Sequence, residues 1–189
     1  MKTYIILLRG LMPTGKNKVL MTPLRQVLVE AGFVDVRTYI QSGNVFARSA
    51  LTGPQVEKVV HHEIKKHFGG DIVVTARTSL QIRKIFAANP FKDADTAKVY
   101  FTILGSKPTE EKIKLLAGLA FPPDTFVGTN EVVYIRAPIA YGLTKLNNNF
   151  IERTLEVSAT TRNYRTMKKL IELSDAGRSS PTPGQAPGS

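Results

Sequence analysis

The chain has no cysteine. That absence removes a disulfide framework, a thiolate nucleophile and a thiolate zinc site together, and it fits a reducing compartment. Long apolar runs are missing as well. The opening residues, Met1-Lys2-Thr3-Tyr4-Ile5-Ile6-Leu7-Leu8-Arg9, hold an apolar stretch too short for a secretory leader. Nothing approaches the roughly 20 residues that a membrane span needs. The sequence is therefore read as cytoplasmic, with no membrane partner. Acids are scarce: 15 Asp and Glu stand against 26 Lys and Arg, a formal net charge of +11. That balance favours acidic partners such as nucleic acid, nucleotides, anionic lipid or another anionic small molecule. The three histidines, His61, His62 and His67, share one predicted helix, but no two of them stand at i and i+4, so no metal site is expected. Glu110-Glu111 and Asp93/Asp95 read as helix-start and loop acids rather than a general acid–base pair. There is no nucleophile elbow, triad-like grouping, dinucleotide fingerprint or aromatic RNA-binding signature. No catalytic residue and no cofactor is assigned, and whether the chain is an enzyme stays open.

What is present is a well-patterned globular sequence. Apolar residues make up 42% and charged residues 22% of 189, which suits one domain or two small, intimately packed ones. Tyr4 to Leu8 predicts a strand buried on both faces. Thr22-Pro23 opens a helix with Leu24, Val27, Leu28 and Ala31 at helical spacing, and Gly32 follows as a left-handed cap. Val36–Ile40 and Val45–Arg48 predict a hairpin across Gln41-Ser42-Gly43-Asn44. Thr52-Gly53-Pro54-Gln55 matches a capping box ahead of the stripe Val56, Val59, Val60, Ile64 and Phe68, and Gly69-Gly70 ends that helix. Ile72–Ala76 then completes a β-α-β-β-α-β series, the order of the ferredoxin-like fold.

After a linking helix capped by Ser79 and running to Ala88, the series restarts. A strand is predicted over Lys98–Leu104 and a helix over Thr109–Leu116. Strands follow at Thr125–Val127 and Val132–Arg136, then a helix around Leu143–Leu155. A last helix, capped by Thr160 or Thr161, reaches Leu173. Lys2-Thr3-Tyr4-Ile5-Ile6-Leu7 aligns with Lys98-Val99-Tyr100-Phe101-Thr102-Ile103, and Tyr39–Arg48 aligns with Phe126–Arg136. The expected fold class is α+β: two ferredoxin-like βαββα(β) subdomains in tandem by internal duplication, with a C-terminal helix and a disordered tail. The boundaries are 1–78 for the first subdomain, 79–97 for the linking helix and loop, 98–173 for the second with its helix, and 174–189 for the tail, which is rich in Ser, Pro and Gly.

Three stretches hold residues that could contact an anion, and the middle one carries more hydrogen-bonding capacity than its turn requires. Gly10-Leu11-Met12-Pro13-Thr14-Gly15-Lys16 fits G-x-x-x-x-G-K, but Asn17 stands where a magnesium-binding Ser or Thr belongs and the helix starts late. The stretch reads as a turn with Arg9, Lys16 and Lys18 near the carboxyl end of the first strand, open to softer anion contact. Tyr39, Gln41, Ser42 and Asn44 crowd hydrogen-bonding groups onto a hairpin. Thr161, Arg162 and Asn163 open the predicted last helix, where free N–H groups would add positive potential, and Arg162, Arg165 and Lys169 are expected on one face.

Leu8-Arg9-Gly10 with Gly15-Lys16-Asn17, Arg37-Thr38-Tyr39-Ile40-Gln41-Ser42-Gly43-Asn44-Val45 and Ala159-Thr160-Thr161-Arg162-Asn163 together resemble the bacterial family of domain of unknown function 1697, over roughly residues 1–173. The resemblance implies a duplicated α+β fold of ferredoxin-like subdomains and no agreed activity. Where members often carry an Ile-Asn-Val-Gly-like stretch after Arg-Gly, this chain has Leu11-Met12-Pro13-Thr14. The leading expectation is a binder of a phosphate-bearing or otherwise anionic ligand. Arg9, Lys16, Lys18, Tyr39, Gln41, Ser42, Asn44, Thr161, Arg162 and Asn163 would line its cleft. The rivals are an enzyme acting on a nucleotide or phosphoester, a sequence-independent nucleic-acid binder, and a protein-interaction module marked by an exposed apolar patch. Ligand identity, oligomeric state and the docking of the two halves are not legible in the sequence.

Overall fold

The central strand decides the architecture. Tyr4 to Leu8 are all at most 2% exposed, so β1 (Lys2–Arg9) must be covered on both faces. In the computed structural model, which describes residues 1–41 and 43–176, that cover comes from two directions. Tyr4, Ile6 and Leu8 pack under helices α1 (Met21–Glu30) and α2 (Gly53–Phe68) through Leu24, Leu28, Val56, Val60 and Ile64. Ile5 and Leu7 face the other way, into a second core that residues from the far half of the chain complete.

The first sheet joins β1 to β2 (Val34–Tyr39), β3 (Asn44–Ser49) and β4 (Val73–Thr78) in the order β2-β3-β1-β4, all antiparallel. Helix α3 (Ser79–Ala87) follows, and a 3-10 turn at Thr96–Lys98 leads into the second half. There β5 (Val99–Leu104), α4 (Glu110–Ala117), β6 (Thr125–Gly128), β7 (Val132–Arg136), α5 (Asn148–Leu155) and β8 (Ala159–Asn163) build a second antiparallel sheet. Its order is β6-β7-β5-β8, and α6 (Tyr164–Ala176) closes the fold. The protein is thus α+β, with two four-stranded antiparallel sheets and six α-helices among the described residues. No helix among them is long and apolar enough to cross a membrane.

The layers run from α1 and α2 through the first sheet, a shared core with α3 and α6, and the second sheet to α4 and α5. The shared core holds Ile5, Leu7 and Phe46 from the first sheet beside Phe101, Ile103 and Tyr134 from the second. Phe86 stacks on Phe101 at 5.5 Å, and the buried Tyr134 hydroxyl donates to the Ile85 carbonyl at 2.9 Å.

Several expectations are corrected at the element ends. Residues 159–163 form a strand, so neither Thr160 nor Thr161 caps a helix. Both are β-branched, and both pair with β5, Thr160 opposite Ile103 and Thr161 opposite Thr102. The last helix starts at Tyr164, where the Asn163 carboxamide oxygen accepts the Thr166 N–H at 2.8 Å. It runs to Ala176 rather than Leu173, with Ser174 buried and its hydroxyl donating to the Ile171 carbonyl. The remainder of the predicted tail lies outside the described residues. Arg162 consequently sits on a strand and shares no helix face with Arg165 and Lys169. The predicted helix over Leu143–Leu155 is shorter: Tyr141–Leu143 is a 3-10 turn, and Asn147 caps α5 by accepting the Phe150 N–H at 3.0 Å. Thr78, not Ser79, caps α3.

Candidate functional site

The polar stretches singled out above meet at the carboxyl end of β1, where the two halves adjoin. Arg162 reaches across from β8. Its Nε donates to the Asn44 carboxamide oxygen at 2.7 Å, and its terminal nitrogens donate to the carbonyls of Leu8 at 2.9 Å, Gly43 at 3.1 Å and Thr161 at 2.9 Å. Burial lowers its pKa to about 10, which leaves the guanidinium charged at neutral pH. Asn44, fully buried, donates to the Tyr39 carbonyl at 3.2 Å. Gly43 closes the hairpin against β1: a Cβ there would lie 2.7 Å from Leu11 Cδ1 and 2.8 Å from Leu8 Cβ, at a φ of +86° that side chains avoid.

A second network adjoins it. The Thr161 hydroxyl donates to Asn148 Oδ1 at 2.7 Å, accepts from the Tyr141 hydroxyl at 3.0 Å, and lies 2.8 Å from the Thr102 hydroxyl. Burial raises the Tyr141 pKa, so that phenol stays protonated. Arg9 pairs with Glu152, whose carboxylate also accepts the Ala159 N–H at 2.8 Å, while Arg9 Nε is buried without a partner.

The structure thus brings Arg9, Asn44, Thr161 and Arg162 to one junction, and it gives the other candidates separate tasks. Gln41 clips the loop after β1 by donating to the Val19 carbonyl at 2.8 Å. Tyr39 is half-buried against the shared core, and Asn163 caps α6. Lys16 and Lys18 stand exposed on the loop. Ser42 lies outside the described residues. Among the described residues no group of histidine and acidic side chains is placed to hold a metal ion. His61 faces Asp71 at 3.1 Å and His67 faces Glu63 at 3.2 Å.

The opposite end of β1 holds what the sequence reading missed. A cavity of about 780 Å³ opens there between the first turns of α2 and α3 and the end of β3, lined by Lys2, Arg48, Thr52, Arg77, Thr78 and Gln81 among others. Both helices start with a capping box. Thr52 N–H donates to Gln55 and Thr78 N–H to Gln81, each at 2.9 Å. The second box, Thr78-Ser79-Leu80-Gln81, was legible, but taking Ser79 as the cap hid it. Arg48 pairs with Asp35 at 3.0 Å. Arg77 bonds Glu57 at 3.2 Å and reaches the carbonyls of Leu104 and Gly105 in the other half. Burial raises the Glu57 pKa against the lowering effect of the Ala76 N–H and Arg77.

With this geometry in place, comparison with known proteins is informative. Residues 1–134 match the family described as "Protein of unknown function (DUF1697)". The chain belongs to this family. A solved structure described as the conserved bacterial protein SP0830 from Streptococcus pneumoniae shares the DUF1697 chain's fold. Its TM-score is 0.70 at 22% identity, covering 92% of this chain and 98% of that one. No curated protein matches. The family match ends at Tyr134, so β8 with Arg162 lies beyond it.

Proposed function

We propose that this DUF1697 protein binds a phosphate-bearing ligand in the cavity at the amino end of β1. The observation that carries the reading is the sign of the lining: its charged side chains, Lys2, Arg48 and Arg77, are all cationic, in a protein whose net charge is +11. Arg48 and Arg77 share their charge with Asp35 and Glu57, so the exposed Lys2 is the cation most available to a ligand. The dipoles of α2 and α3, whose first turns line the cavity, add positive potential of the same sign. This reading keeps the anionic ligand expected from the composition and moves its address. At the Arg162 junction the donors are directed at carbonyl and amide oxygens of the protein itself, which suits a joint between the halves.

The matching strand orders and the alignment of β1 with β5 support descent by internal duplication of a ferredoxin-like unit, which we include in the proposal. Binding is favoured over turnover, because the cavity lining includes no carboxylate or imidazole to serve as a base.

Titration calorimetry with inorganic pyrophosphate at low salt tests the reading. Saturable binding is expected, weakened about tenfold by Lys2→Ala, the loss of one charge-assisted contact. Lys16→Ala combined with Lys18→Ala should leave it unchanged. The reverse pattern would return the ligand to the loop after β1, and absence of binding would remove the proposal.

A further inference from the structure

The cavity shares Pro54 with a second hollow of about 560 Å³ that runs along the outer side of α2. The wall of that hollow is Lys58, His61, His62 and Lys65. These stand at i, i+3, i+4 and i+7, one face of the helix continuing from Pro54, while Val56, Val60 and Ile64 turn to the core. From Pro54 to Lys65 the face extends about 16 Å. Its floor is apolar, formed by Ile72, just before β4, with Val73 and Val74, and Ser158 of the other half also lines it. One carboxylate lines the hollow, Glu57, and it is engaged by the Ala76 N–H and Arg77.

Resting on the reading of the cavity as a phosphate site, we infer that the two hollows form one track for a single strand of nucleic acid, bound without regard to sequence. A single strand presents what this track asks for. Its phosphates have Lys2, Lys58 and Lys65 to pair with, and its unpaired bases have apolar faces to lay on Pro54, Val73 and Val74. A duplex keeps those faces stacked inside. A bare phosphate chain has none, and would leave the apolar floor without a use.

Fluorescence anisotropy of the full chain with a labelled single-stranded oligonucleotide of about ten nucleotides tests the inference. With Lys2, Lys58 and Lys65 engaged, the slope of log affinity against log salt should lie near about −2. Lys58→Ala combined with Lys65→Ala, both exposed and distant from the core, should make that slope shallower by about 1.4 and weaken oligonucleotide binding. The same variant should bind pyrophosphate as the parent does. Pyrophosphate binding without oligonucleotide binding, or oligonucleotide binding indifferent to the lysine pair, sinks the track and spares the cavity. Loss of pyrophosphate binding in the parent sinks both. Inorganic polyphosphate of similar charge competing on equal terms with the oligonucleotide overturns the nucleic-acid assignment.

Discussion

At the scale of single residues, Arg162 holds the most demanding position in the molecule. Its donors meet oxygens on β1, the first hairpin, β3 and its own strand, a spread that suits a planar fork of five N–H groups and that a flexible ammonium cannot reproduce. Arg162→Met and Arg162→Lys should each lower stability by about 2–4 kcal/mol, because either leaves buried carbonyls short of donors. Urea unfolding at neutral pH measures this, and an Arg162→Lys variant within about 0.5 kcal/mol of the parent would show that position alone, not geometry, is what matters. The sequence singled out Asn44 on its hairpin and Arg162 at a predicted helix start as candidate ligand contacts. It was silent on their purpose, because the acceptors are mainly main-chain carbonyls, which every residue carries and no motif announces. Lys2 escaped notice for the opposite reason: a lysine beside an apolar run looks like ordinary solvation until the sheet sets it beside two helix starts.

At the scale of elements, local signals were legible wherever they were self-contained. The capping box at Thr52, the left-handed Gly69 and the 3.6-residue stripe of α2 state a helix within one stretch of chain, and α2 spans Gly53–Phe68 accordingly. The β8 segment shows the limit. Ala-Thr-Thr-Arg-Asn contains three good cap residues and no apolar alternation, and it becomes a strand only by pairing with β5, some sixty positions earlier in the chain. The cap it seemed to offer belongs to Asn163. Asn163→Ala should therefore cost about 1 kcal/mol by loosening the first turn of α6, whereas Asn163→Asp should retain most of that stability. Thermal or urea unfolding of the two variants decides it, and equal losses would mean that the capping bond to Thr166 is not what Asn163 contributes. The stripe Lys58, His61, His62, Lys65 was equally local. The histidines of this helix lack metal-ligand spacing and its lysines belong to no motif; the sign of the face and the shared Pro54 are what place it beside the cavity.

At the scale of the whole molecule, the two halves are joined by more than a linker. Each sends an arginine from its last strand to carbonyls at the end of the other's first strand, Arg77 to Leu104 and Gly105, Arg162 to Leu8. Between them Thr75 and Thr160 lie 3.3 Å apart, hydroxyl to hydroxyl, in the buried seam. Thr75 stands opposite Leu7 and Thr160 opposite Ile103, so corresponding positions of the two sheets face each other across the joint. The core behind that seam belongs to neither half: Phe101 is fully buried, in one cluster with Ile5, Leu7 and Phe46. A cavity made there removes contacts from both sheets at once. Phe101→Ala should cost about 3–5 kcal/mol, and the remaining stability should still be lost in a single transition. Amide hydrogen exchange read strand by strand is the discriminating measurement, since protection should fall by the same factor in β1 and β3 as in β5 and β7. Protection that falls in β5 and β7 while β1 and β3 keep theirs would mean that each half unfolds on its own and that the shared core couples them only weakly.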